Sequence, residues 1–298
     1  MRSRLLILCP GQGGQDAQMF DLARGEPRAA ALLDSLALPP LEQMFDNRGA
    51  QQLIVASTLA TWEALRDKLP QPALVAGYSI GELAAYGVAG AFTPAQTLAL
   101  AEARAGLMDA CLAAQAEQAL AALSGLPLRQ AAALCAAHSC HVAIETGEDG
   151  CIAGGPAAGL AALEAQVVAA GGRCQRLPVA VASHTPYMAA AVAPFAELLR
   201  GADFAAMRAP VVAGISALAG SGKAQAVEHL SRQLAEKILW MGCMDACAEA
   251  GVTVALELGP GAALSRMLRA RHPHIACRSV ADFRSIAGVA GWIERECA

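Results

Sequence analysis

The sequence predicts an α/β protein whose large subdomain, built on a parallel sheet, is interrupted by a smaller insert. Three observations predict it. Strand-like runs at "LLILCPG", "ALVAGYS" and "VTVALELGPG" each end in a glycine-containing turn followed by a helix-like stretch, the rhythm of a doubly wound parallel sheet. Residues 116 to 180 break that rhythm and run strand, helix, strand, strand, helix, strand. Hydrophobic residues make up 55% and charged residues 16% of the 298, a balance that favours a packed globule over an extended chain.

At the start of the chain, "MRSRLLILCPGQGGQ" carries two arginines and an apolar run. The run is too short for a signal peptide and ends in a Pro-Gly turn, so it reads as a first strand. No apolar stretch is long enough to span a bilayer, since the alanine-rich segment 98 to 123 is broken by Glu102, Arg104 and Asp109. A cytoplasmic protein without membrane contact is expected. The glycines of "GQGGQ" lack the G-x-G-x-x-G spacing of a dinucleotide loop, and no acidic residue at a following strand end supports one. A loop of backbone N–H donors is the better reading.

The second strand runs into "VAGYSIGELAAYGVAGAF", residues 75 to 92. A buried strand, G-x-S-x-G and a helix describe a nucleophile elbow of the α/β-hydrolase-like kind, whose tight turn pushes the hydroxyl of Ser79 out of the backbone. Gly77 and Gly81 then remove side chains that would collide where strand and helix cross. The helix N-terminus beyond Ser79 offers free N–H groups and a positive dipole end to an oxyanion. Gln12, after the first strand, is the candidate to complete that oxyanion hole together with the N–H of Ile80. Loops at the carboxyl ends of parallel strands build active sites, so "PGQGGQ", "GYSIGE" and "GPGAAL" should meet on one rim.

A serine needs a base within hydrogen-bond reach. Of six histidines, His184 stands first, because "VAVASHTPYM" puts it after an apolar run and before a proline turn where the chain leaves the insert. His272 and His274 flank Pro273 in a surface turn, His229 lies in a polar helix, and His138 and His141 belong to the insert. Arg104, on the helix expected to follow the serine turn, in "LALAEARAGLMDAC", has two readings. It could snorkel or pair with Glu102 or Glu82, or it could grip a substrate carboxylate bidentately.

The insert, read as strands "QALAALSG", "CHVAIET", "GCIAGG" and "RCQRLPVA" around helices "LRQAAALCAAH" and "GLAALEAQVVAAG", has the order of a ferredoxin-like subdomain. Residues 1–115 and 181–298 are expected to form the large subdomain and 116–180 the small one, leaving a substrate cleft between them. Ten cysteines are scattered without a C-x-x-C pair. Cys135, His138, Cys140 and His141 cluster, but their spacing matches no structural zinc pattern, and no metal is expected. A net charge of -4 offers no basic field for nucleic acid.

These motifs together resemble the malonyl-CoA:acyl carrier protein transacylases, including the acyltransferase domains of fatty acid and polyketide synthases. The family's "PGQGSQ" is "PGQGGQ" here, "GHSLGE" is "GYSIGE", R-x-x-x-M is "RAGLM", S-H is "ASHTPYM", "RQL" is "RQLAEKILW" and E-V-G-P-G is "ELGPG". The resemblance covers nearly the whole chain. It implies Ser79 as the acyl-accepting nucleophile, His184 as base and then acid, Arg104 as the ligand of the free malonyl carboxylate, and Gln12 and Ile80 as oxyanion donors. Gln233, in "RQL", is implied to orient His184 through its main-chain carbonyl, in place of a triad acid. Malonyl-CoA is then the substrate, no cofactor is bound, and the acceptor is the CoA-derived prosthetic thiol of an acyl carrier protein.

Tyr78 stands where the family usually has histidine, and "ETGEDGCIAGG" replaces an asparagine-proline-glutamine segment of many relatives. "YSIGELAAYGVAG" is most similar to the acyltransferase (epsilon) subunit of bacterial malonate decarboxylase, which implies that complex's other subunits as partners; a fatty acid synthesis transacylase is the alternative. "VASH" is similar to an element of polyketide domains that select methylmalonyl, while malonyl remains the expected acyl group. A serine esterase or thioesterase would need an acid between Ser79 and His184, where Asp109, Glu145 and Asp149 lie. A catalytically silent carrier-docking module is the remaining class. Arg66, Lys68, Lys223, Arg232 and Lys237 are candidates for docking an acidic carrier.

Overall fold

The computed structural model describes residues 3–113 and 116–298. In chain order its strands are β1 (Leu5–Cys9), β2 (Leu74–Gly77), β3 (Gln118–Ser124), β4 (His141–Glu145), β5 (Gly150–Pro156), β6 (Arg173–Arg176), β7 (Val211–Val212), β8 (Ala219–Gly220), β9 (Val254–Glu257) and β10 (Ala276–Ser279). Two sheets result. The larger has the order β10-β9-β1-β2-β7-β8, parallel throughout except for the antiparallel edge strand β8. Every residue of β1, β2 and β9 is buried, as expected of parallel strands covered by helices on both faces, and this is why they read as unbroken apolar runs.

The smaller sheet is antiparallel with the order β4-β5-β3-β6, and the helices Leu128–Ala137 and Ala157–Ala169 complete the βαββαβ pattern. It lies in the long excursion between the paired neighbours β2 and β7. Its edge strand is covered by the large part of the molecule: Ile238 N–H donates to Ala143 O and Glu145 N–H to Ile238 O, both at 2.9 Å. Those bonds fix the two sheets across the cavity that holds the site. The expected boundary at 115 and 116 falls at the edge of the description, because residue 115 lies outside the described residues.

The stretch after Ser79 is two helices, the elbow helix (Ile80–Val88) and the arginine helix (Pro94–Ala113), separated by a turn. Gly90, at φ 86°, opens that turn, a backbone region open to glycine at little cost. Among the described residues no helix is long and apolar enough to cross a membrane, and no group of three or more His, Cys, Asp or Glu could hold a metal ion. Cys135 and Cys140 are buried, and His141 packs edge-on to Tyr187, their ring centres 5.8 Å apart.

Candidate active site

The elbow is a consequence of two missing side chains. A Cβ on Gly77 would lie 2.1 Å from the carbonyl oxygen of Gly81, and one on Gly81 would lie 2.1 Å from that of Cys9. Only glycine lets β1, β2 and the elbow helix approach so closely. Ser79 between them adopts φ 56° and ψ −120°, a strained conformation costing about 1–3 kcal/mol and sustained by the surrounding packing. Ile80 is the first residue of the elbow helix, so its N–H has no intrahelical acceptor.

From the other side, His184 is also held at positive φ, 63°, with its N–H donating to Leu234 O at 2.8 Å. Its Nε2 lies 2.7 Å from Ser79 Oγ and its Nδ1 lies 2.6 Å from the main-chain oxygen of Gln233. A carbonyl can only accept, so Nδ1 carries the proton and Nε2 is left to accept the hydroxyl proton of Ser79. That is the arrangement of a nucleophile with its base. Burial foremost, and then the charge of Arg104, hold the His184 pKa down at about 3, while the Gln233 carbonyl pulls it upward. The imidazole is therefore neutral, with the lone pair of Nε2 facing the Ser79 hydroxyl.

None of the acids weighed for a hydrolase triad serves His184. Asp109 binds Arg48 and Asn47, Glu145 pairs with Lys237, and Asp149 is exposed. A neutral backbone acceptor orients the ring instead.

Arg104 is 3% exposed and pairs with neither Glu102 nor Glu82. Its Nη1 donates to Gln51 Oε1 at 2.5 Å and to Met108 Sδ at 3.3 Å, one helical turn on, which gives the R-x-x-x-M spacing a physical meaning. Its Nη2 is buried with no partner among the described residues. Burial lowers its pKa to about 10, partly offset by Glu82, so it stays charged at neutral pH. A buried guanidinium with an open N–H is matched to an anionic group.

Ser79 and His184 open into a cavity of about 480 Å³ between the two sheets. Pro10–Gly14, Tyr78 and Pro260–Leu264 line one side, so the three glycine-bearing loops do meet on one rim, and Gln12 is among the lining residues. Leu120, Ile144 and Ile152 of the small sheet line the other. Glu257, at the end of β9, caps the helix Ala263–Arg271 by accepting from the N–H groups of Leu264 and Ser265 at 3.2 and 2.8 Å.

Gln51, Glu257 and Arg266 were not singled out in the sequence, and Glu82 was weighed only as a partner for Arg104, not for Gly214 and Gln233. Gln51 meets Arg104 across 53 positions, a separation no local pattern reports. Glu82 and Glu257 carried a signal, since a carboxylate inside an otherwise apolar element must find partners. The proposed docking cations do not form a free patch. Arg66, Lys68, Arg232 and Lys237 pair with Glu63, Glu26, Glu228 with Glu236, and Glu145, and Lys223 donates to the carbonyls of Arg200 and Ala202. Arg266, exposed in the cavity lining, forms none of these ion pairs.

Comparison with known proteins decides the family. The acyl transferase domain matches residues 7–273. The chain belongs to the acyl transferase family. It is 31% identical over 307 residues to the malonyl CoA-acyl carrier protein transacylase of Mycobacterium tuberculosis, an alignment covering 96% of this chain and all of that one. It is 32% identical over 223 residues to the polyketide synthase GfsB of Streptomyces halstedii, covering 73% of this chain and 4% of that much longer protein. The crystal structure of the malonyl-CoA:acyl carrier protein transacylase from Xanthomonas oryzae superposes with a TM-score of 0.88 at 27% identity, covering 100% of both chains.

Proposed function

We propose that this acyltransferase moves malonyl from malonyl-CoA to the thiol of an acyl carrier protein through an acyl-serine. The observation that carries this is the dyad of Ser79 and His184, joined at 2.7 Å, in a protein that also buries Arg104 with an open N–H. Ser79 Oγ attacks the thioester carbonyl while His184 Nε2 takes the hydroxyl proton. The Ile80 and Gln12 N–H groups stabilise the oxyanion, each such donor contributing about 10²- to 10³-fold in rate. The CoA sulfur leaves with the proton from Nε2, and malonyl-Ser79 remains. In the second half the carrier thiol gives its proton to Nε2 and attacks the ester, and Ser79 recovers the proton as it leaves.

Arg104 takes the free malonyl carboxylate, and Arg266 offers a cation to the phosphate that both thioester arms carry. The relatives named as malonyl CoA-acyl carrier protein transacylases favour a fatty acid synthesis role over the malonate decarboxylase subunit that "YSIGELAAYGVAG" suggests. A second reading, the decarboxylase subunit, keeps support from Tyr78 in place of histidine. Initial-rate kinetics with malonyl-CoA and purified carriers of the two kinds test the assignment. Parallel double-reciprocal lines and a higher kcat/KM with the fatty acid carrier are expected. Intersecting lines, or transfer only to the decarboxylase carrier, would overturn the mechanism or the context respectively.

A further inference from the structure

Glu82 lies three residues after Ser79 on the elbow helix and is 0% exposed, yet no step of the acyl transfer uses it. Its Oε2 accepts two hydrogen bonds, one from the backbone N–H of Gly214 at 2.9 Å and one from the side-chain amide of Gln233. Gln233 is also the residue whose main-chain oxygen receives His184 Nδ1–H. It follows the last residue of the helix Lys223–Arg232, where carbonyl groups are free of intrahelical partners. Gln233 is thus gripped at its amide by Glu82 while its carbonyl holds the imidazole.

Gly214 lies just beyond β7, and its own carbonyl accepts from Leu239 N–H at 2.7 Å. One carboxylate therefore ties together the elbow helix that carries Ser79, the exit of β7, and the segment that holds His184. Burying a carboxyl group costs free energy unless it is fully hydrogen-bonded, and here Oε1 has no partner among the described residues. Arg104 acts on it electrostatically without forming an ion pair. A group that served only to fill space would be cheaper as an apolar side chain.

We propose that Glu82 is a positioning residue. By holding the Gln233 amide and the Gly214 N–H it keeps the Gln233 carbonyl aimed at His184 Nδ1–H, and so fixes both the tautomer and the aim of the base toward Ser79. Glu82 has this role only if Ser79 and His184 form the working dyad proposed above. Its test therefore reads the dyad with a fluorophosphonate, which labels an activated serine and needs no acyl donor.

The labelling rate of Ser79 is measured in the wild type, Glu82→Ala, Glu82→Gln and Gln233→Met, with thermal unfolding and ¹⁵N-histidine NMR of the His184 Nδ1 proton alongside. Glu82→Ala should label about 10- to 100-fold more slowly and lose the protected Nδ1 proton, the size of effect seen when the partner orienting a histidine ligand is removed. Glu82→Gln should label within a few-fold of the wild type, because its amide oxygen can accept both bonds. Gln233→Met keeps the main-chain carbonyl and loses the gripped amide, so it should reproduce Glu82→Ala and carries the test if Glu82→Ala does not fold. A merely structural role would lower the melting temperature and leave the Nδ1 proton and labelling rate of the folded fraction unchanged, which would overturn the proposal. Glu82→Gln as slow as Glu82→Ala would also overturn it. A wild type that labels with fluorophosphonate but transfers no malonyl would refute the substrate assignment while the Glu82 comparison still decides its own question.

Discussion

His184 is neutral because charging it in a buried site beside Arg104 is unfavourable, and that same arginine is the group proposed to meet the substrate's carboxylate. The two roles are tested separately. Replacing Arg104 with Met removes a cation that lowers the His184 pKa, so the low-pH limb of Ser79 labelling by a fluorophosphonate should move to higher pH. An unmoved or lowered midpoint would show that Arg104 does not act on the base. The second concerns selectivity. A malonyl carboxylate left in a buried site without its cation costs about 2–5 kcal/mol, so kcat/KM for malonyl-CoA should fall at least about 30-fold in Arg104→Ala while that for acetyl-CoA falls little. Equal losses with both donors would remove the carboxylate contact from the account.

The elbow helix owes its place to glycine on both sides of Ser79, and the clash distances set the expected effect of changing it. With a Cβ 2.1 Å from the Cys9 oxygen, Gly81→Ala should destabilise the protein by about 3 kcal/mol or more, or prevent folding. Urea unfolding measures this, and a variant within 1 kcal/mol of the wild type would mean the crossing can relax. This element was legible in the sequence because the motif itself encodes the steric need. β1 and β9 were legible for a related reason, each being a short run buried on both faces. By contrast β7 and β8 are two residues each, and β10 reads "ACRS", with alternating burial and a polar half. Runs so short carry no periodicity, and only the neighbouring strands of the finished sheet define them. The single helix expected after Ser79 proved to be two, broken at Gly90 and restarted at Pro94, where the Thr93 side chain accepts from the Gln96 N–H.

Across the whole molecule, the sequence pattern foretold two sheets and a cavity between them, but not the links that set their relation. Ile238 against β4, Gln51 against Arg104, and Glu82 against Gln233 all join positions far apart in the chain. Their effect on global stability depends on pH. Burial raises the Glu82 pKa from 4.5 to about 7, with the bonds from Gly214 and Gln233 and the charge of Arg104 pulling the other way. Between those values the folded state holds a proton that the unfolded state has released, so this group's contribution falls as pH rises through 7. His184 acts oppositely. Its pKa drops from 6.5 to about 3, so its contribution is complete above 6.5 and is lost as pH falls. Glu82→Gln abolishes the first effect alone, and its stability relative to the wild type should increase between pH 5 and pH 8. Chemical denaturation across that range checks this, and a constant or decreasing difference would contradict a raised Glu82 pKa.

The proposed transfer requires a malonyl group carried covalently on Ser79. Intact-protein mass spectrometry after brief exposure to malonyl-CoA tests it most directly, with Ser79→Ala as control and a carrier thiol added afterwards. One malonyl adduct on the wild type, none on Ser79→Ala, and prompt discharge by the carrier are expected. No adduct, an adduct that survives in Ser79→Ala, or one that water clears as fast as the carrier does would contradict it.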